Sequence, residues 1–456
     1  PTNTPAPTDT PVPTDTPEPT ATPEPTETVA PPPAKDTEAP SDSGNDSGSD
    51  SGMSEVEDGT LGVLALSNWK TEGGYWVITG LVLNKTDDAV DGIEIEIEVF
   101  DANDNSLYKE TTWSDLYTLA PGKASPFSLW ISEDDLSEPD HYVATIVGQS
   151  QSSSEYANLE IVNMVTAMDE YGYYYVTGEI VNNGSEPASI NGVAGALFDS
   201  NEELVTAESS GIYAHYIDPG DSGPFRVSIT TPPDAELTTY VIYVDSEVTD
   251  QADYYDFEFG ETHANYMDSF GNFHLVGQIT NNAEETLNVS TIAALLDADG
   301  KVIDVSSGYL PFYAIEPGET LPYDVSGWTT VNYIDGYYDE KAASYHIWVD
   351  YYWVYPSTYE FVTITSSDDD NLFKSGSATF TGNALNNSTE TLENVIVVVT
   401  LYSKETGLPY ATEYTYIDED ELAPEASGAY EISMWLPDDF EKDNYDVVVL
   451  VKGTKK

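Results

Sequence analysis

The sequence predicts an all-β protein: four tandem Ig-like antiparallel β-sandwich domains behind a disordered Pro/Thr-rich N-terminal linker. Three observations predict it. Apolar and polar residues alternate along short runs, a set of landmarks returns four times, and no stretch carries the apolar period of an amphipathic helix.

The linker, residues 1–59, opens PTNTPAPTDTPVPTDTPEPTATPEPTETVAPPP and runs on into SDSGNDSGSDSG at 41–52. Proline fixes φ and removes a backbone donor, so extended polyproline II is the default there. The Ser/Asp/Gly-rich part adds a swivel. Residue 1 is Pro, and an export signal with an anchor is expected upstream of it.

The domains are expected at 60–151, 157–250, 254–355 and 357–454. Their first landmark is a glycine strand ending in Asn. It reads Thr79-Gly80-Leu81-Val82-Leu83-Asn84, Thr177-Gly178-Glu179-Ile180-Val181-Asn182, Val276-Gly277-Gln278-Ile279-Thr280-Asn281 and Thr381-Gly382-Asn383-Ala384-Leu385-Asn386. A second landmark keeps phase with it: Leu119-Ala120-Pro121-Gly122, Ile217-Asp218-Pro219-Gly220, Ile315-Glu316-Pro317-Gly318 and Leu422-Ala423-Pro424-Glu425. An aromatic follows each proline at fixed distance: Phe127, Phe225, Tyr323 and Tyr430. Landmarks held in register at a spacing of about 100 residues are the mark of tandem domains.

Within a copy the period is two. In Ile93-Glu94-Ile95-Glu96-Ile97-Glu98-Val99 the apolar residues share one face and the glutamates the other. Asp101–Asn105, Asp199–Glu203 and Asp297–Gly300 read as hairpin turns, because Asp, Asn and Gly tolerate positive φ. The Pro-Gly pairs suit the central positions of a type II turn. Roughly seven short strands per copy, punctuated by such turns, argue an Ig-like sandwich.

Together these landmarks resemble the FxLYD domains of bacterial and archaeal exported proteins. The strand-end motif reads Val99-Phe100-Asp101, Leu197-Phe198-Asp199, Leu295-Leu296-Asp297 and Leu401-Tyr402-Ser403, with the leading Phe absent from each. The resemblance spans about residues 60–454. It implies a β-sandwich at the cell surface and brings no catalytic residues.

Composition excludes several functions. Lys+Arg 14 against Asp+Glu 82 gives a net charge of −68, which leaves no cationic surface for nucleic acid or anionic lipid. Zero Cys excludes disulfide scaffolds, thiolate zinc sites and thiol catalysis. No wholly aliphatic run exceeds the length of Val395–Val399, far short of the ~20 residues that span a bilayer. His141, His215, His263, His274 and His346 form no metal motif, and neither a nucleophile elbow nor a phosphate loop occurs.

The expected function is therefore non-enzymatic: a cell-surface or secreted array that presents, spaces or adheres, monomeric and strung like beads. The alternative is a carbohydrate-binding array acting through exposed Tyr and Trp, assisted by Ca²⁺. Planar rings stack on sugars, and Tyr351, Tyr352, Trp353 and Tyr355 form the densest aromatic cluster. The metal candidates are Asp101, Asn103 and Asn105, whose alternating oxygens look like the start of a calcium loop. Ser106 stands where that loop needs Gly and Thr112 where it needs Glu, which makes a plain hairpin turn the stronger reading. No other cofactor is expected.

Overall fold

Each copy places its landmark glycine on the central strand of one antiparallel sheet and the strand that ends at Phe100, Phe198, Leu296 or Tyr402 at the centre of a second. The computed structural model describes residues 54–136, 139–169, 171–233, 235–249, 255–260, 264–270, 272–327, 344–350 and 354–456. Most of the expected linker lies outside these. Residues 54–59 are described, and they belong with the first copy. Val56 is buried, and the Ser54 N–H donates to the Leu64 carbonyl at 2.7 Å.

In copy one, Tyr75–Asn84 lies between Leu61–Lys70 and Ala124–Ser132, and Val90–Phe100 pairs with Ser106–Trp113, Thr118–Leu119 and His141–Gln151. Copy two repeats the pattern. Tyr173–Asn182 lies between Leu159–Met168 and Ser222–Thr230, and Ala188–Phe198 pairs with Leu204–Ser210, Tyr216–Ile217 and Thr239–Val248. In copy three the central strands are Phe273–Asn281 and Leu287–Leu296. In copy four they are Ser377–Leu385 and Leu392–Ser403, and the long strand Phe361–Lys374 pairs into both sheets and joins them. Every strand pairing among the described residues is antiparallel. Among the described residues the helical content is a 3-10 turn at Lys442–Asn444, and no helix is long and apolar enough to cross a membrane.

The landmarks turn out to be parts of one device. Gly80, Gly178, Gly277 and Gly382 sit directly opposite Phe127, Phe225, Tyr323 and Tyr430. The ring lies over the glycine. A Cβ on Gly178 would meet the Phe225 ring at 2.8 Å and the Val162 carbonyl at 2.9 Å, so the close approach requires Gly. The asparagine ending the strand is completely buried in every copy. In copy two its amide donates to the carbonyls of Glu186 and Ile217, both at 2.9 Å, and its Oδ1 accepts the Gly184 N–H at 2.9 Å. Asn84, Asn281 and Asn386 make the equivalent three bonds. A buried amide that satisfies three backbone groups locks the loop to the strand, because each group left unpaired would cost about 1–3 kcal/mol.

The same asparagine's carbonyl anchors the Pro-Gly turn. It accepts N–H from Gly122 at 2.6 Å, Gly220 at 2.8 Å, Gly318 at 2.7 Å and, in copy four, Glu425 at 2.8 Å. The three glycines have φ of 75°, 85° and 72°, which makes type II turns; Glu425 is forced to 66°.

Candidate functional site

The copies are not separate beads. The outer face of one copy's glycine-strand sheet packs on the outer face of the next copy's second sheet, and this joint is built three times. Ala65 and Leu81 of copy one share an apolar cluster with Ala196, Phe198, Leu204 and Ala207 of copy two. Ile292, Ala294, Val302 and Val305 of copy three join the cluster of copy two, and Ile396 and Val398 of copy four join that of copy three. Thr79 donates its hydroxyl across the first joint to the Ala207 carbonyl at 3.2 Å. The equivalent Thr177 donates across the second to Val302 at 2.7 Å. The expectation of beads fails because those outer faces are apolar and stay out of water only by docking.

Charged groups close the rims of the second and third joints. Arg226 reaches the fully buried Asp304 at 2.8 Å, and His215 Nδ1 lies 3.0 Å from Asp350. Lys452 pairs with Glu316 at 2.9 Å and also with Glu319. Beside the third joint, His274 Nδ1 lies 2.8 Å from Asp324, with Asp268 on its other side at 3.6 Å. Tyr266 stacks on His274 with centroids 4.6 Å apart and on Tyr410 of copy four at 5.0 Å. Burial pushes the His274 imidazole down, but Asp324 and Asp268 outweigh it and hold the ring above its ordinary value.

On copy four the glycine-strand sheet keeps its outer face open. Ser377–Leu385 and Ser427–Trp435 alternate strictly between buried and accessible positions, whereas Ile78 through Val82 of copy one are all buried. A shallow groove of about 500 Å³ runs over this face. Thr381, Asn383, Tyr416, Asp418 and Glu431 line it, and the Tyr416 ring is 43 % exposed. Its chemistry is hydroxyl, amide, carboxylate and one aromatic rim.

The residues singled out from sequence fall elsewhere. Tyr355 is exposed on the short strand Tyr355–Pro356, opposite Asn288. Tyr351, Tyr352 and Trp353 lie outside the described residues. Asp101 spends its carboxylate on its own hairpin. Oδ1 accepts the N–H of Asn103 at 2.8 Å and of Asn105 at 2.9 Å, and Oδ2 accepts the Asn105 amide at 2.9 Å. The Asn105 amide, with those N–H groups, holds the acid down to about 2. Asp199 and Asp297 build the same turn. Among the described residues no three His, Cys, Asp or Glu converge to hold a metal ion.

Sequence reasoning did not single out the joint residues. Their signal was present in Val193–Phe198 and Val395–Leu401, which are buried on both faces where Ile93–Val99 alternates. No protein-family model matches this chain, and no curated protein matches it.

Proposed function

We propose that the chain is a non-enzymatic, exported array of four Ig-like sandwiches of the FxLYD kind that spaces and presents its last copy from a cell surface. The observation that carries this reading is the joint, repeated three times with one geometry. Faces that could have formed clefts are used to couple neighbours, which suits a spacer rather than a catalyst. The acid-rich surface supports it further, since a charge of −68 keeps a displayed protein dispersed. Glu94, Glu96 and Glu98 on the outer face of copy one would meet Asp418 and Glu431 in any end-to-end stacking, which favours a monomer. The test is protease shaving of intact cells that express the gene with its native upstream sequence. Release of this chain into the medium supports display; retention inside the cell rejects it.

The open groove favours a second reading, binding of a neutral glycan on copy four. Carboxylates and amides pair with sugar hydroxyls, and a tyrosine face stacks on the ring. Glycan binding that disappears in Tyr416→Ala would support it.

A further inference from the structure

The three joints differ in how they balance charge. Asp245, Asp350 and Lys452 hold equivalent places near the end of each closing strand. Asp245 pairs with Gly192 and Lys452 with Ile396, while Asp350 follows Val349, the partner of Thr291. Each side chain reaches back to the preceding copy. Asp350 meets the imidazole of His215, and Lys452 meets the carboxylates of Glu316 and Glu319. Asp245 meets only backbone: its Oδ2 accepts the Thr118 N–H at 2.9 Å. Where copy two supplies His215, copy one has Tyr117, whose side chain is turned to solvent and 65 % exposed.

Two orphaned oxygens result. Asp245 is 0 % exposed, and among the described residues its Oδ1 has no hydrogen-bond partner. Asp91 is the cross-strand partner of Thr118, so both acids flank the same residue, and the buried Oδ1 of Asp91 likewise has no partner among the described residues. Glu247 and Tyr156 complete the surroundings. Glu247 accepts the Ser154 hydroxyl at 2.7 Å, and Tyr156 donates its phenol to the Thr118 carbonyl. Burial, with Glu247 and Asp91 adding to it, pushes the Asp245 carboxyl up to about 6, despite the Thr118 and Tyr117 N–H groups. A buried carboxylate beside a second, half-buried one, each with a buried oxygen left over, needs a counter-charge or must take up a proton.

We propose that the first joint binds a divalent cation of the hard, oxygen-seeking class, Ca²⁺ above all, between Asp91 and Asp245. The ion occupies there the place that the His215 ring nitrogen takes beside Asp350 in the second joint, and balances the carboxylates as Lys452 does in the third. Two carboxylates supply the charge, and carbonyl oxygens and water fill the remaining positions of a six-to-eight-fold shell. So few charged ligands set the affinity on the order of 10⁻⁴–10⁻³ M, the range of extracellular calcium modules.

The experiment is a calcium titration of the chelator-treated full chain at constant ionic strength, with Tm read by calorimetry at pH 8 and pH 5. A rise on the order of 2–4 °C is expected at pH 8 at ten times the dissociation constant. It should shrink at pH 5, where protons compete for the same oxygens. Asp245→Asn should abolish the rise while Asp350→Asn retains it. Should Asp245→Asn not fold, Asp91→Asn carries the same expectation. A wild-type Tm indifferent to calcium but raised by acid would overturn the proposal in favour of a shared proton. A calcium response that survives both Asp91→Asn and Asp245→Asn would overturn it in favour of diffuse binding to the acidic surface.

Discussion

The strand Val90–Phe100 of copy one and the strand Leu392–Ser403 of copy four occupy the same place in their copies, yet their sequences look unrelated. The first alternates, Ile-Glu-Ile-Glu-Ile-Glu, and its burial alternates with it. The second runs Val395-Ile396-Val397-Val398-Val399, all buried. Pairing explains the contrast. Glu96 and Val398 stand at one position, each four residues before the aromatic strand end Phe100 or Tyr402. Glu96 lies between Thr111 and Thr145, and Val398 between Tyr414 and Leu450. Copy four lays that face on copy three, while copy one presents it to water. A strand covered on both faces must be apolar throughout; one covered on a single face keeps the two-residue period.

Exchanging the residues at the two positions should have the largest effect. Val398→Glu places an unpaired charge in a closed joint and should cost about 3–5 kcal/mol in denaturant unfolding. The reverse change, Glu96→Val, should move stability by less than about 0.5 kcal/mol while increasing association by light scattering, because it widens an exposed apolar face. Equal costs for the two would mean that the faces are not different.

The next largest effect tests what the copies share rather than what separates them. Asn182→Ala strips two carbonyls, that of Ile217 buried, and one N–H of their partner, and about 3 kcal/mol should be lost. A change below about 1 kcal/mol would show that the amide is not what locks the loop.

A smaller effect distinguishes the first joint from the others by pH. Asp115 is pushed up to about 7 by burial with Glu208 adding, and Asp245 to about 6. Both folded values lie above the ordinary carboxylate value of 3.8. The folded state therefore holds these protons more tightly, and stability is greatest below the ordinary value and falls as pH rises through 6 and 7. In chelator, Tm should decline between pH 5 and pH 8, and Asp115→Asn should flatten the decline. A Tm that rises over that interval would contradict the assignment.

The smallest effect is a gain. Glu425 holds the φ that its three counterparts give to glycine. Glu425→Gly should stabilise copy four by about 0.5 kcal/mol, the strain relieved less the extra freedom of the unfolded chain.

The all-β, antiparallel character of the fold was legible because its landmarks act locally or across one strand pair. The Gly–aromatic pairs, the buried asparagines and the Pro-Gly turns each recur in register, so four copies reinforce one reading. The joints were harder to read, since the partner of an outer face lies a whole copy away and nothing near Val398 names it. The run Val395–Val399 served only to argue against a membrane span, although beside Ile93–Val99 it also marks a second buried face. Aromatic clustering pointed to Tyr351–Tyr355, while the groove on copy four draws on three strands, Thr381 and Asn383 from Ser377–Leu385, Tyr416 from Pro409–Tyr416 and Glu431 from Ser427–Trp435, which no single run of sequence brings together. Asp101 looked like a ligand because the oxygens that shape an Asx turn are the same ones a calcium loop uses.

The chain has no cysteine, so a thiol can be introduced at one position at a time. The rate at which a maleimide labels Glu96→Cys and Val398→Cys in the folded protein measures directly whether the equivalent faces are open or closed. Stacked copies predict prompt labelling of Glu96→Cys and protection of Val398→Cys until the protein unfolds. Matching rates at the two positions in the folded state would contradict the docking of copy four on copy three.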